Sequence, residues 1–163
     1  MTEYRLIHFN CARPLGDFSP ENDFIRTFIA IMPRIFADAN EADGLHWHNH
    51  GVRTPKGEWL KLDNIFPYPA NMGAPDVSTL AAWESPEALR RWAHNGRTHP
   101  ISMVRLKAVT DHTQGESFVM WWQPRGQIIT LEDGWQRLQQ LRKAGPSAEA
   151  FNLASLYAKP RAA

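Results

Sequence analysis

The tripeptide Ser-Pro-Glu occurs at residues 19–21 and again at 85–87. Each copy is a helix-start signal: serine as N-cap, proline at the first helical position, an acid in the first turn. A strand-like run precedes each, Tyr4 to Cys11 and Val77 to Trp83. Two further strands read at Leu45 to Gly51 and Ser117 to Trp122. The order is therefore β-α-β-β-α-β, the split βαβ, ferredoxin-like pattern of an α+β domain.

Alternation sets the strand faces. Ile7, Phe9 and Cys11 share one face of the first strand; Leu6, His8 and Asn10 share the other. After Ser19, residues Phe24, Phe28, Ile31, Ile35 and Phe36 recur at helical spacing, and Pro33 predicts a kink or interruption. After Ser85, Leu89, Trp92 and Ala93 continue a helix that Asn95-Gly96 and Pro100 break; Ile101 to Val109 resumes it. Residues 51–75 read as a long loop with one short extended piece near Trp59 to Leu62. Thr130 and Asp133 form a capping box that opens an extra C-terminal helix through Arg142, stopped by Gly145-Pro146. The whole chain, 1–163, reads as one domain with a core at about 4–151 and a tail of modest helical character at 152–163.

In such a domain one sheet face takes the helices and the other needs a cover. A second copy is the simplest cover, so the expectation is a homodimer closed into a dimeric α/β barrel.

Composition narrows the function classes. The 163 residues are 43% hydrophobic and 21% charged, as in globular domains, with 7 Trp and 8 Phe to build a core or a pocket. The net charge of +1 argues against a nucleic-acid partner, and Arg137, Arg142 and Lys143 read as a solvated helix face. The single cysteine, Cys11, excludes an intrachain disulfide and reads as a small core residue. No apolar run is of signal-peptide type or of membrane-span length. The chain reads as soluble and cytoplasmic, without a membrane partner.

Several segments together resemble one bacterial family. They are Leu6 to Ala12, Gly44 to His48, Trp83-Glu84-Ser85-Pro86-Glu87-Ala88-Leu89, Trp121-Trp122-Gln123-Pro124-Arg125-Gly126, Arg137-Leu138 and Gly145-Pro146-Ser147-Ala148-Glu149-Ala150-Phe151. The family is domain-of-unknown-function family 3291, placed in the dimeric α/β-barrel superfamily. The resemblance implies that fold and a homodimer. The superfamily includes cofactor-free monooxygenases, haem-binding enzymes, lyases, isomerases and cyclases, and fold alone does not choose among them. The family pattern has a histidine late in the second long helix, which His99 matches. Asn95-Gly96 and Pro100 depart from it by interrupting that helix, and His46-x-His48-x-His50 is not part of the pattern.

Histidines spaced two apart on a strand project from one face, about 6.5 to 7 Å from one to the next. With Leu45 and Trp47 toward the helices, His46, His48 and His50 point into the barrel interior, along with His8, Asn10, Thr79, Trp83 and one of Trp121 and Trp122. The alternative is a polar, solvated edge-strand face. An apolar cavity with a few convergent polar groups is a ligand pocket, and imidazole suits proton transfer near neutral pH. The expectation is an enzyme acting on a flat apolar or aromatic metabolite by cofactor-free oxygenation, cyclisation, isomerisation or elimination. His8 or His48 serves as acid or base, and Asn10 orients a carbonyl or hydroxyl. His46, Thr79, Trp83, Trp121 and Trp122 supply walls, with Trp47 joining them only if the face assignment is reversed.

Two alternatives involve a cofactor, in a catalytic or a non-catalytic protein. A divalent metal could sit on His46, His48 and His50, with a carboxylate from Glu84, Glu58 or Asp63. Haem, suggested by the superfamily, would use His94 or His99 and be non-covalent, because no Cys-x-x-Cys-His motif exists. Asp111-His112 with Ser117 lacks a nucleophile-elbow pattern and reads as a polar turn.

Overall fold

The computed structural model describes residues 3–16, 18–61 and 73–160. The elements run β1 (Tyr4–Ala12), α1 (Asp23–Asn40), β2 (Leu45–Arg53), β3 (Trp59–Leu60), β4 (Asp76–Trp83), α2 (Pro86–Asn95), α3 (His99–Lys107), β5 (Phe118–Pro124) and α4 (Leu131–Ala144). The sheet order is β3-β2-β4-β1-β5 with every pairing antiparallel. Without the short β3 this is the ferredoxin-like arrangement that the element order predicts.

The strand faces divide as the alternation requires. Ile7, Phe9, Leu80, Ala82, Val119 and Trp121 form one core with Leu138 and Leu141 of α4. The contact is close: a Cβ on Gly134 would lie 2.3 Å from Cδ2 of Phe9, so glycine lets α4 lie on β1. On the opposite face, Val77 of β4 and Val52 of β2 pack with Phe24, Phe28 and Ile35 of α1 and Leu106 of α3.

This layering corrects one expectation. The histidine-bearing face, expected to line a barrel closed by a second copy, is covered by α1 and α3 of the same chain, while α4 covers the face of Ile7 and Phe9.

The helix starts divide between success and correction. Ser85 caps α2 as predicted, accepting from the Ala88 amide at 3.2 Å, with Pro86 in the first turn. Ser19 does not cap α1. The turn at 19–21 precedes it, and Asn22 is the N-cap, accepting from the Phe24 and Ile25 amides. Asn22 also donates to Leu15 O at 2.7 Å, an anchor that depends on the preceding loop. Pro33 does not interrupt α1, because the apolar stripe continues on both sides of it through Phe28, Ile35 and Ala39 while Pro33 itself stays exposed. The capping box of Thr130 and Asp133 forms, and α4 runs to Ala144. The described residues after α4 contain no helix; Phe151 is buried and pairs with Met120 of β5. The predicted loop is shortened, since β2 reaches Arg53 and β3 follows. Leu62, the end of the expected extended piece, lies outside the described residues.

No described helix is long and apolar enough to cross a membrane. Arg137 and Arg142, expected on a solvated face, instead hold their guanidinium groups over Trp121 and Trp135, at 4.8 and 5.9 Å from the ring centres.

Candidate functional site

A cavity of about 430 Å3 lies between the sheet and helices α1 and α3. Strands β1 and β4 supply its floor: His8, Asn10, Thr79, Ala81 and Trp83. Phe28, Met32 and Phe36 of α1 form one wall; Trp92 of α2 and His99, Met103 and Val104 of α3 close the other side. The volume falls in the usual range for small-molecule sites.

His8 opposes Ala81 on β4 and Met120 on β5, in the middle of the sheet. Its surface opens only partly into the cavity, and protein surrounds the rest. That burial, with a smaller contribution from His99, lowers its pKa from the ordinary 6.5 to about 4. The imidazole is neutral at physiological pH. The Phe118 ring lies 5.7 Å away, centre to centre.

His99 is the first residue of α3. Its Nδ1 is 2.9 Å from the carbonyl oxygen of Ala93, so Nδ1 carries the proton and donates. Trp92 packs on its ring with centroids 4.1 Å apart, and Trp83 packs on Trp92 at 5.4 Å. Burial lowers the His99 pKa; the Ala93 hydrogen bond opposes this without reversing it. The indole nitrogens of Trp83 and Trp92 are buried without an acceptor among the described residues.

The elbow between α2 and α3 is tied to α1. Thr98, the N-cap of α3, makes no side-chain cap bond of its own. Asp38 replaces it, accepting from the Thr98 amide at 3.2 Å, the Thr98 hydroxyl at 2.9 Å and Arg97 Nε at 3.3 Å. Arg97 also donates to Glu41.

His48 lines the cavity through a different contact set. Its Nε2 is 3.0 Å from Asn40 Oδ1, and Phe36 stacks on it at 5.1 Å and on His50 at 4.7 Å. Burial first, then His50, lowers its pKa.

The structure brings His8, Asn10, His48, Thr79, Trp83 and His99 to one cavity. It does not bring the rest. The register shifts between Leu45 and Trp47: Leu45 opposes Trp83, yet Trp47 opposes Ala82. This bulge turns Leu45 into the cavity and moves its neighbours out. His46 is exposed and 3.5 Å from Arg125, and Trp47 lies under Arg5. His48 and His50 therefore keep one face beside Phe36, and His46 leaves it. Among the described residues no group of three or more His, Cys, Asp or Glu could hold a metal ion. Asp63 lies outside the described residues. Trp121 faces α4, and Trp122 donates to Tyr157 O at 2.9 Å, so neither is a wall. His94 is exposed and away from the cavity. Asp111 spends its carboxylate on Thr113, and His112 bonds the Lys107 carbonyl, so no triad forms with Ser117.

Sequence reasoning missed Trp92 and the α1 wall as site residues. The spacing of Trp92 and His99, seven apart, was the available signal, since residues seven apart share a helix face. The break at Gly96 concealed it.

No curated protein matches the chain. Among solved structures it is similar to a dimeric ferredoxin-like protein of unknown function from Jannaschia sp. CCS1, at 17% identity over 73% of this chain and 97% of that one, with a TM-score of 0.47. It is also similar to SnoaB, a cofactor-independent oxygenase from Streptomyces nogalater, at 12% identity over 78% and 98%, with a TM-score of 0.45. A protein of unknown function from Nitrosomonas europaea matches at 9% identity over 80% and 97%, with a TM-score of 0.44. The match that covers the chain is to a family, whose pattern extends over residues 5–163. With its ferredoxin-like sheet and the segments from Leu6 to Phe151 in place, this chain belongs to the domain of unknown function family DUF3291.

Proposed function

We propose that the chain is a small-molecule enzyme that performs acid/base chemistry on a flat apolar or aromatic metabolite held between the sheet and helices α1 and α3. The observation that carries this reading is His8, a neutral imidazole on the floor of an apolar cavity. A neutral imidazole accepts a proton at once, whereas a charged one cannot. Its low pKa makes it a weak base alone. A substrate anion forming beside it supplies the counter-charge that imidazolium needs and raises that pKa during the reaction.

The first step is then proton abstraction. A C–H or O–H bond of the substrate breaks, the proton goes to His8, and the electron pair stays on the substrate as an enolate or phenolate. Asn10 lies two residues along the same strand face and offers amide donors to the oxygen that gains charge. Oxygenation, cyclisation, isomerisation and elimination can all begin this way. A homodimer belongs to this reading through the family resemblance.

The test is deuterium exchange at the acidic carbon of 2-tetralone, followed by NMR. The protein should accelerate exchange over buffer, and His8→Gln should remove about a hundredfold of the acceleration. A ketone that binds yet exchanges no faster than in buffer would defeat the acid/base reading.

A second reading, haem binding, is favoured by one observation. His99 has its Nδ1 hydrogen tied to a carbonyl, as an axial ligand commonly does. Among the described residues the cavity lining offers Lys107 as its one lysine or arginine, against the two propionates of a porphyrin. The acid/base reading is therefore preferred, and a Soret band on adding hemin would reverse that preference.

A further inference from the structure

We propose that the cavity selects an uncharged hydroxylated aromatic molecule, and that Nε2 of His99 accepts the hydroxyl hydrogen. This rests on the small-molecule reading of the cavity and names the ligand class for it.

The first line of argument is charge. Among the described residues that line the cavity there is no aspartate or glutamate, and the one lysine or arginine is Lys107, itself exposed. The other titratable lining groups are imidazoles and Cys11. Burial lowers the pKa of His8, His48 and His99 and pushes the Cys11 thiol up to about 12, so none of these four carries charge near neutral pH. An ionised carboxylate or phosphate buried here would lose its water and gain in return only the solvent-screened Lys107 ammonium, and a buried ammonium would gain no opposite charge among the described lining residues. The lining excludes such groups by their desolvation.

The second line is hydrogen-bond polarity. A neutral imidazole has one N–H and one bare nitrogen. The Nδ1 hydrogen of His99 is committed to Ala93 O, which leaves Nε2, across the ring, as an acceptor without a partner among the described residues. Trp92 on the ring face and the Asp38 tie at Thr98 fix the orientation of that acceptor. A ligand meets it by donating, and a phenolic hydroxyl is a stronger neutral donor than the N–H of an aromatic amine or indole. Phe28, Phe36, Trp83 and Trp92 supply the apolar and π surfaces for the ring system.

The test compares three probes of one shape by calorimetric titration at pH 7: 2-naphthol, 2-methoxynaphthalene and 2-naphthoate. The naphthol should bind about tenfold more tightly than its methyl ether, which cannot donate. The naphthoate should bind more weakly than either. His99→Phe keeps a ring against Trp92 and should bring naphthol and ether to within about twofold. Equal or tighter binding of naphthoate would overturn the charge argument while leaving a small-molecule site standing. A naphthol preference that survives His99→Phe and disappears in His8→Phe would overturn the assignment of the acceptor. Binding of none of the probes would defeat the small-molecule reading itself, and this inference with it. Should His99→Phe fail to fold, the order of the three probes on the native protein still decides the ligand class.

Discussion

The rings of Trp92 and His99 pack with centroids 4.1 Å apart and planes tilted by 45°, joining the end of α2 to the start of α3 in the cavity wall. Trp92→Ala removes that support and the contact with Trp83. The indole is half-buried, so the cost should be about 2 to 3 kcal/mol in urea unfolding, below that of a fully buried tryptophan. Binding of 2-naphthol should weaken at the same time. Unchanged affinity would mean that His99 needs no support from Trp92.

Asp38 holds the same elbow from the opposite side. Burial alone would raise its carboxyl, but hydrogen bonds from Thr98 and Arg97 hold it below the usual carboxylate range. Asp38→Ala removes the side-chain cap that the described residues give α3 and should destabilise the fold by about 1 to 2 kcal/mol. Hydrogen exchange should rise in residues 99–107 and stay unchanged in α4. A uniform rise across both helices would mean that the tie is global rather than local.

The pKa of His8 makes stability depend on pH. Its folded value of about 4 lies below the ordinary 6.5, so between these values the unfolded chain binds the extra proton. Stability should rise as pH increases from about 4 to 6.5, and fall by about 3 kcal/mol on going back down. His48 and His99 act in the same direction. Urea melts at pH 7 and pH 5 should show the native protein losing more stability than His8→Gln. Equal losses would place the titration elsewhere.

Gly134 carries α4 on β1, with room for a hydrogen and nothing larger. Gly134→Ala would gain helix propensity on an isolated helix, but here its methyl would meet the Phe9 ring. Overpacking should dominate and destabilise by about 1 to 3 kcal/mol. A rise in melting temperature would show that the helix shifts freely.

Arg13 and Asp76 form a two-pronged ion pair, Nε to Oδ1 at 2.9 Å and Nη2 to Oδ2 at 3.0 Å, with Asp76 buried. Arg13→Ala strands a buried carboxylate and should cost about 3 kcal/mol. The double variant Arg13→Ala with Asp76→Asn should recover part of that loss in chemical unfolding.

The strands, the α2 cap and the α4 capping box were legible because each depends on a few neighbouring residues. Alternation in Tyr4–Ala12 placed His8 and Asn10 on one face correctly, and Ser85-Pro86 began α2 where its chemistry predicts. Which layer each face meets was not legible. Leu138 and Phe9 are far apart in the chain, and nothing near either says that α4 covers the face of Ile7 and Phe9. The α1 start moved from Ser19 to Asn22 because Asn22 also bonds the distant backbone of Leu15. One extra residue in β2, at Leu45–Trp47, separated His46 from His48, since a side chain changes face with each single-residue shift of register. The identity of the cavity followed from these tertiary facts. His99 reached it through an elbow held by Asp38, and His8 became a neutral imidazole because packing from elsewhere in the chain buries it.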